Sequence, residues 1–191
     1  ACPTPSLLRD FWATQRGREV TTFYHESAPN GCFSNFFAYP NKVPFTIPRW
    51  CWHPNCSMLP RHMVTEHAEK AIMACKAAHF GDADGLQTIA STQQPSDCQR
   101  QGRQVQGFDA SEWETMVCLI ADEVTWQKFS HPANAEYAKM LLLTGDDLLA
   151  EASPTDTIWG IGLPDSDQRV SDPSKWRGAN ILGWALMQAR E

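Results

Sequence analysis

The chain has 191 residues, 42% of them hydrophobic with eight Trp and nine Phe, which is enough apolar mass to bury a core, and the length suits one domain. A formal net charge of −6 argues against non-specific nucleic-acid binding, which neutralises phosphates with Lys and Arg, and favours a small or single-stranded substrate over a long duplex. No apolar run of about 18 residues and no basic leader followed by an apolar stretch is present, so the expectation is an intracellular protein, cytoplasmic or nuclear, that does not meet a membrane.

Residues 1–19 read as an N-terminal extension packed on a domain that runs from 20 to 191. Val20-Thr21-Thr22-Phe23-Tyr24 is β-branched and aromatic and predicts a strand. In Gly31-Cys32-Phe33-Ser34-Asn35-Phe36-Phe37 a hydroxyl and an amide sit between aromatics. Asn35 and Phe36 there can stack a ring and bond its edge, or the segment is a turn pinned by apolar contacts. Residues 38–64 hold five prolines and read as mostly irregular, with a strand at Phe45-Thr46-Ile47. Seven cysteines, an odd count without a framework pattern, fit a reducing compartment. The cluster Cys51, His53, Cys56, His62 and His67 has zinc-ligand chemistry but lacks the short Cys-x2-Cys knuckle, so a loop lying over the core is favoured and no metal is expected.

Thr65 is expected to cap a helix that continues through Phe80 and stops at Gly81. On it Glu69 and Lys76 lie seven residues apart, and at about 100° per residue both charges return to nearly the same azimuth. Ile72 and Met73 share that face. A carboxylate and an amine bracketing an apolar patch are costly to bury without partners or chemistry to perform. The plainer alternative is an amphipathic helix with two charged flanks.

Helices are predicted at 84–90 and from Pro95 to near Gly102, with Arg103 just beyond. Ser111-Glu112-Trp113-Glu114 reads as a capping box, and the stripe of Trp113, Met116, Val117, Ile120, Val124 and Phe129 behind it marks core. Another helix spans 133–143, ended by Thr144-Gly145, and 148–152 reads as a strand. In Asp156-Thr157-Ile158-Trp159-Gly160-Ile161-Gly162 two glycines let backbone approach a ligand, Trp159 offers a flat face, and Asp156 can accept from ribose hydroxyls or an exocyclic amine. Gly178-Ala179-Asn180-Ile181-Leu182-Gly183 opens the last helix and predicts an anion seat at its N-terminus. It is not the dinucleotide fingerprint, because Asn180 replaces the central glycine and no clear strand precedes it. Arg100, Arg103, Arg177 and Arg190 either converge on a phosphate or are solvated surface. The fold class that results is mainly α (α+β), a compact single-domain helical fold with a few short strands.

Taken in series these segments resemble the NADAR, or YbiA-like, family. The resemblance covers about residues 20–191, through Phe23-Tyr24, Phe33-Ser34-Asn35-Phe36, Glu69 with Lys76 and Ala77, Gly102-Arg103, Trp113 and Lys128-Phe129. It continues through Thr144-Gly145-Asp146, Glu151-Ala152-Ser153-Pro154, Asp156, Trp159-Gly160-Ile161-Gly162, Gly178, Asn180, Leu182-Gly183 and Arg190. Two departures stand out: the stretch from Cys51 to His67 looks longer than the family's link, and Lys70 follows Glu69 where an uncharged or aromatic residue is expected.

The resemblance implies a YbiA-like fold and a hydrolase of N-glycosidic bonds to ribose, with no cofactor. Members look like enzymes that remove ADP-ribose from modified guanine in DNA, RNA or nucleotides, or that cleave ribosylaminopyrimidine phosphates of riboflavin synthesis. A reader that binds ADP-ribose or NAD without turnover is the alternative from another class. Carried over residue by residue, Glu69 and Lys76 act at the ribose anomeric carbon, while Asn35, Phe36, Arg103, Asp156, Trp159, Gly160, Gly162, Asn180 and Gly183 bind substrate.

Overall fold

The computed structural model of the chain describes residues 2–191. It is mainly helical, with α1 at Pro5–Ala13, α2 at Ala68–His79, α3 at Ala83–Ser91, α4 at Pro95–Gly102, α5 at Ala110–Ser130, α6 at Ala135–Leu143 and α7 at Ile181–Arg190. Four short strands are β1 at Val20–Phe23, β2 at Val43–Thr46, β3 at His62–Thr65 and β4 at Leu148–Glu151. Contacts group the chain into two compact units, one of residues 2–34 with 114–191 and one of residues 35–113.

In the first unit β1 and β4 form a parallel pair, Val20 opposite Leu148 and Phe23 opposite Glu151. Leu148, Leu149 and Ala150 are all fully buried, the continuous apolar run that a strand covered on both faces requires. α7 packs on β4. The approach is close enough that a Cβ on Gly183 would meet the Leu149 carbonyl, and one on Gly178 would meet the carbonyl of Gly160. Gly178→Ala is therefore expected to cost about 2–3 kcal/mol by forcing backbone against backbone, read as a fall in Tm of roughly 5–10 °C. Gly145→Ala, where nothing lies within 4 Å and only a φ of +55° is strained, should cost about 1 kcal/mol, and equal losses at the two sites would contradict this reading.

α1 begins with Thr4 as N-cap and a proline in its first turn, and buries Leu8 and Trp12. The Trp12 indole Nε1 donates to the Ala179 carbonyl at 2.7 Å, which ties the N-terminal segment to the start of α7. That helix falls within the stretch read from sequence as an extension.

α5 buries Val117, Ile120, Val124 and Phe129 as its stripe predicts, but Asp109 caps it in place of Ser111. The Asp109 carboxylate accepts from Glu112 N at 2.8 Å and from Ser111 Oγ at 2.6 Å. A carboxylate at a helix N-terminus accepts from more donors than a hydroxyl and gains from the dipole, so the helix starts two residues earlier. Near the other end of α5, Lys128 is buried, its Nζ donating to the Ser34 carbonyl at 3.0 Å and standing 5.0 Å from the Phe129 ring centroid. Burial pushes its pKa down to about 7, opposed by the nearby Cys32 thiol. An unfolded lysine titrates near 10.4, so between the two values the unfolded chain holds the extra proton and stability rises as pH climbs from about 7 to about 10.4. Urea melts of wild type minus those of Lys128→Met should show this slope, at most about 1.4 kcal/mol per pH unit. An identical pH dependence in the two proteins would contradict it.

In the second unit β2 and β3 make an antiparallel hairpin, Val43 opposite Thr65 and Thr46 opposite His62. α2 lies beneath α3 and α4. It approaches α4 so closely that a Cβ on Gly102 would collide with the Met73 sulfur.

Candidate active site

α2 is buried nearly all round, with Lys76 and His79 as its partly exposed positions. Its cap is His67, not Thr65, because Thr65 pairs in β3 and donates its Oγ1 to the Val43 carbonyl at 3.0 Å. His67 Nε2 sits 2.7 Å from the Gln93 carbonyl, an acceptor only, so that nitrogen carries the proton and Nδ1 accepts from Lys70 N at 3.2 Å. The capping thus fixes the first turn, where Glu69 stands. Its N–H donates to the Asn35 carbonyl at 2.9 Å, and the two residues are 6% and 8% exposed.

Two turns on, Lys76 is half-buried, and three influences act on its amine. Burial lowers its pKa, the Glu69 charge raises it, and the Arg103 charge lowers it, for a net fall from the ordinary lysine value. Seven residues span about 10 Å along the axis, and the Glu69 charge acts on the Lys76 amine across that separation. The Lys76 Nζ lies 4.1 Å from the ring centroid of Phe108 and 5.4 Å from that of Trp113. Phe108 escaped the sequence reading. Its one signal is a large apolar side chain, 44% exposed, between Gly107 and Asp109 in a turn that leads into a helix.

Arg103, just past α4, is exposed and donates to Gln99 Oε1 at 3.1 Å. Lys70 does not face solvent: it is 3% exposed and its Nζ donates to Glu66 Oε2 at 2.8 Å, with Lys42 on the other carboxylate oxygen. That pairing resolves the departure at this position, since a buried lysine here carries its own counter-ion. The Cys51–His67 stretch folds as the β2–β3 hairpin region. Cys51 Sγ donates to the Cys75 carbonyl at 3.1 Å, His53 Nδ1 accepts from Asn55 N at 3.1 Å, and His62 Nδ1 meets Thr46 Oγ1 at 2.8 Å. Among the described residues no three of His, Cys, Asp or Glu are grouped to hold a metal ion. Gly81 stops α2 with a φ of +71°, and a Cβ there would stand 2.6 Å from His53 Nδ1.

In the other unit the 156–162 loop folds back on the end of β4. Asp156 Oδ1 accepts from the N–H groups of Ile158 and Trp159, both at 2.8 Å, forming a tight turn. The carbonyls of Ile158, Trp159 and Gly160 then accept from Ile181, Leu182 and Asn180 at 3.3, 3.2 and 3.1 Å. These bonds bear on one expectation: the amides of Asn180, Ile181 and Leu182 at the start of α7 are satisfied by the loop and are not free to seat an anion. The Asn180 side chain also turns inward, donating to Leu149 O at 2.8 Å and accepting from Glu151 N at 3.1 Å. Its φ of 49° is left-handed, a conformation asparagine tolerates better than most residues. Gly160 and Gly162 belong to the same construction: a Cβ on Gly160 would lie 2.8 Å from the Glu151 carbonyl, and Gly162 has a φ of +69°. Arg190 is equally committed, donating to Thr144 Oγ1 at 2.7 Å and Asp147 O at 2.9 Å.

The mainly helical fold has a counterpart among solved structures. It matches the solution NMR structure of Escherichia coli YbiA with a TM-score of 0.64 at 24% identity, over 93% of this chain and 87% of that one. The NADAR domain model matches residues 22–191, and the chain belongs to that family. It is 40% identical over 125 residues to N-glycosidase R617 of Acanthamoeba polyphaga mimivirus, covering 65% of this chain and 72% of the relative. Against N-glycosidase Npun_R5314 of Nostoc punctiforme the identity is 30% over 88% of this chain and 89% of that protein. No helix among the described residues is long and apolar enough to cross a membrane.

Proposed function

We propose that the chain is an N-glycosidase that removes ADP-ribose from ADP-ribosylated guanine, with Lys76 and Glu69 acting at the anomeric carbon. The observation that carries this is the Lys76 amine, held below the ordinary lysine pKa by burial, on the same helix face as the buried Glu69 carboxylate. A neutral amine is a nucleophile, and the developing positive charge at a ribosyl carbon is stabilised by a nearby carboxylate. Nζ adds to C1′ as the bond from C1′ to the base breaks, and the bonding electrons leave with the base. Glu69 takes the proton that Nζ gives up and passes it to the departing base. Opening of the sugar ring leaves an imine, which water hydrolyses to free ADP-ribose and the regenerated amine.

Arg103, whose charge already acts on Lys76, is proposed to hold the diphosphate. The Asn35 carbonyl accepts from the Glu69 N–H, and Asn35 with its neighbour Phe36 is proposed as a substrate contact. In the other unit, Gly160, Gly162, Asn180 and Gly183 are proposed to serve by holding the 156–162 loop, with Asp156 and Trp159 on it, against β4 and α7. The test is to incubate the protein with an oligonucleotide ADP-ribosylated on guanine and look for released ADP-ribose by mass spectrometry. Release supports the reading. Turnover of ribosylaminopyrimidine phosphates with none of the oligonucleotide would overturn the substrate assignment, and tight binding of ADP-ribose without turnover of either would make the chain a reader.

A further inference from the structure

The geometry points to Phe108 as the residue that governs the charge state of Lys76: its ring face holds the ammonium form in place and so restrains the amine until substrate arrives. The inference rests on Lys76 being the reacting amine. The ammonium lies 4.1 Å from the Phe108 centroid, well inside the range of a cation–π contact, and Trp113 at 5.4 Å flanks it. Phe108 is itself held. Phe80 meets it nearly edge-on at 5.3 Å and 68°, and Phe80 also contacts Trp113 at 6.4 Å. The ring is thus fixed along one edge yet 44% exposed, an arrangement in which a ligand can reach it.

Two opposite effects of an aromatic ring on an amine are conceivable. As apolar bulk it strips water from the ammonium and favours the neutral amine. As a quadrupole with a negative face it favours the ammonium. An Nζ centred over the ring face at 4.1 Å is positioned for the second effect. The other charges acting on Lys76 are Glu69 on its own helix and Arg103 beyond α4. His79 Nε2 and Glu112 Oε1 are paired with each other at 2.8 Å, and the Asp82 carboxylate is engaged with the N–H groups of Gly85 and Gln106, both at 2.9 Å. A substrate ring that takes the Phe108 face displaces the ammonium from it, so that binding itself shifts Lys76 towards the neutral nucleophile.

Competitive acetylation of lysines, followed peptide by peptide from neutral to alkaline pH, reads the Lys76 amine without any substrate, so its outcome stands apart from whether the substrate assignment is right. Phe108→Leu keeps an apolar side chain but removes the quadrupole. It should raise the rate of Lys76 acetylation at neutral pH by about three- to tenfold and move the midpoint to lower pH. Phe108→Trp should restore the slow rate. A midpoint that moves to higher pH in Phe108→Leu, or stays where it was, would overturn the inference, because a ring acting only as a water shield predicts the upward move.

Discussion

Lys76→Ala is expected to lower the rate of ADP-ribose release by at least about a thousandfold while leaving the Tm within about 2 °C of wild type. The small stability effect follows from position. Lys76 is half-buried on a helix whose packing rests on alanines and on Ile72 and Met73, so truncating it leaves those contacts in place. The large kinetic effect follows from chemistry, because Lys76 is an amine on which the Glu69 charge acts, whereas Lys70 is paired with Glu66. Lys76→Arg sharpens the experiment. Arginine keeps the charge and much of the length but is not deprotonated in proteins and does not act as a nucleophile. The account predicts that Lys76→Arg is as inactive as Lys76→Ala. An arginine variant that retained a tenth or more of wild-type turnover would mean that the lysine only binds.

Glu69→Gln should lower kcat by about 10²–10⁴, the usual contribution of a positioned proton carrier. Gln is nearly isosteric, so the hydrogen bond from residue 69 N–H to the Asn35 carbonyl survives. The same change has a second consequence with a defined sign. The Glu69 charge raises the Lys76 pKa, so its removal lowers that pKa further and moves the acid limb of any Lys76-dependent step to lower pH. The variant is therefore expected to hold a more nucleophilic amine and yet turn over slowly. Substrate-binding affinity should change little. A Glu69→Gln protein with unchanged kcat and a weakened KM would place the carboxylate in binding alone.

Much of the architecture is legible in the sequence where the signals are local. The stops at Gly81 and Gly145, the proline that opens α4 and the apolar stripe of α5 lie within two residues or so of where the structure puts them. Competition between signals explains the misses. Thr65 and Ser111 are both good caps in isolation, but Thr65 is drawn into β3 by its pairing with Val43, and Asp109 offers a better acceptor two residues before Ser111. β3 was hidden because its four residues include His62 and Met63 and follow a proline-rich stretch, and its identity depends on a partner strand some twenty residues away. The parallel pairing of β1 with β4 joins segments 128 positions apart and has no local signature.

The candidate site divides along the same line. Glu69 and Lys76 were visible because helical periodicity brings seven-residue neighbours to one face. The aromatic Phe108 was not, because only the fold carries a turn after α4 over the end of that helix. The glycines of 160–162 and 178–183 illustrate the reverse case. Their pattern suggests a ligand cradle, yet the close contacts they permit are between the loop, β4 and α7 of the same unit. A glycine marks close approach without stating what approaches.

The most direct measurement is to mix the protein with ADP-ribosylated guanine oligonucleotide, quench with borohydride during turnover and map the adduct by peptide mass spectrometry. An imine between Nζ and the opened sugar would be reduced to a stable secondary amine. The account predicts an ADP-ribosyl adduct on the peptide that contains Lys76, absent in Lys76→Ala and still formed in Glu69→Gln. Turnover by wild type with no trapped adduct on Lys76 would contradict it.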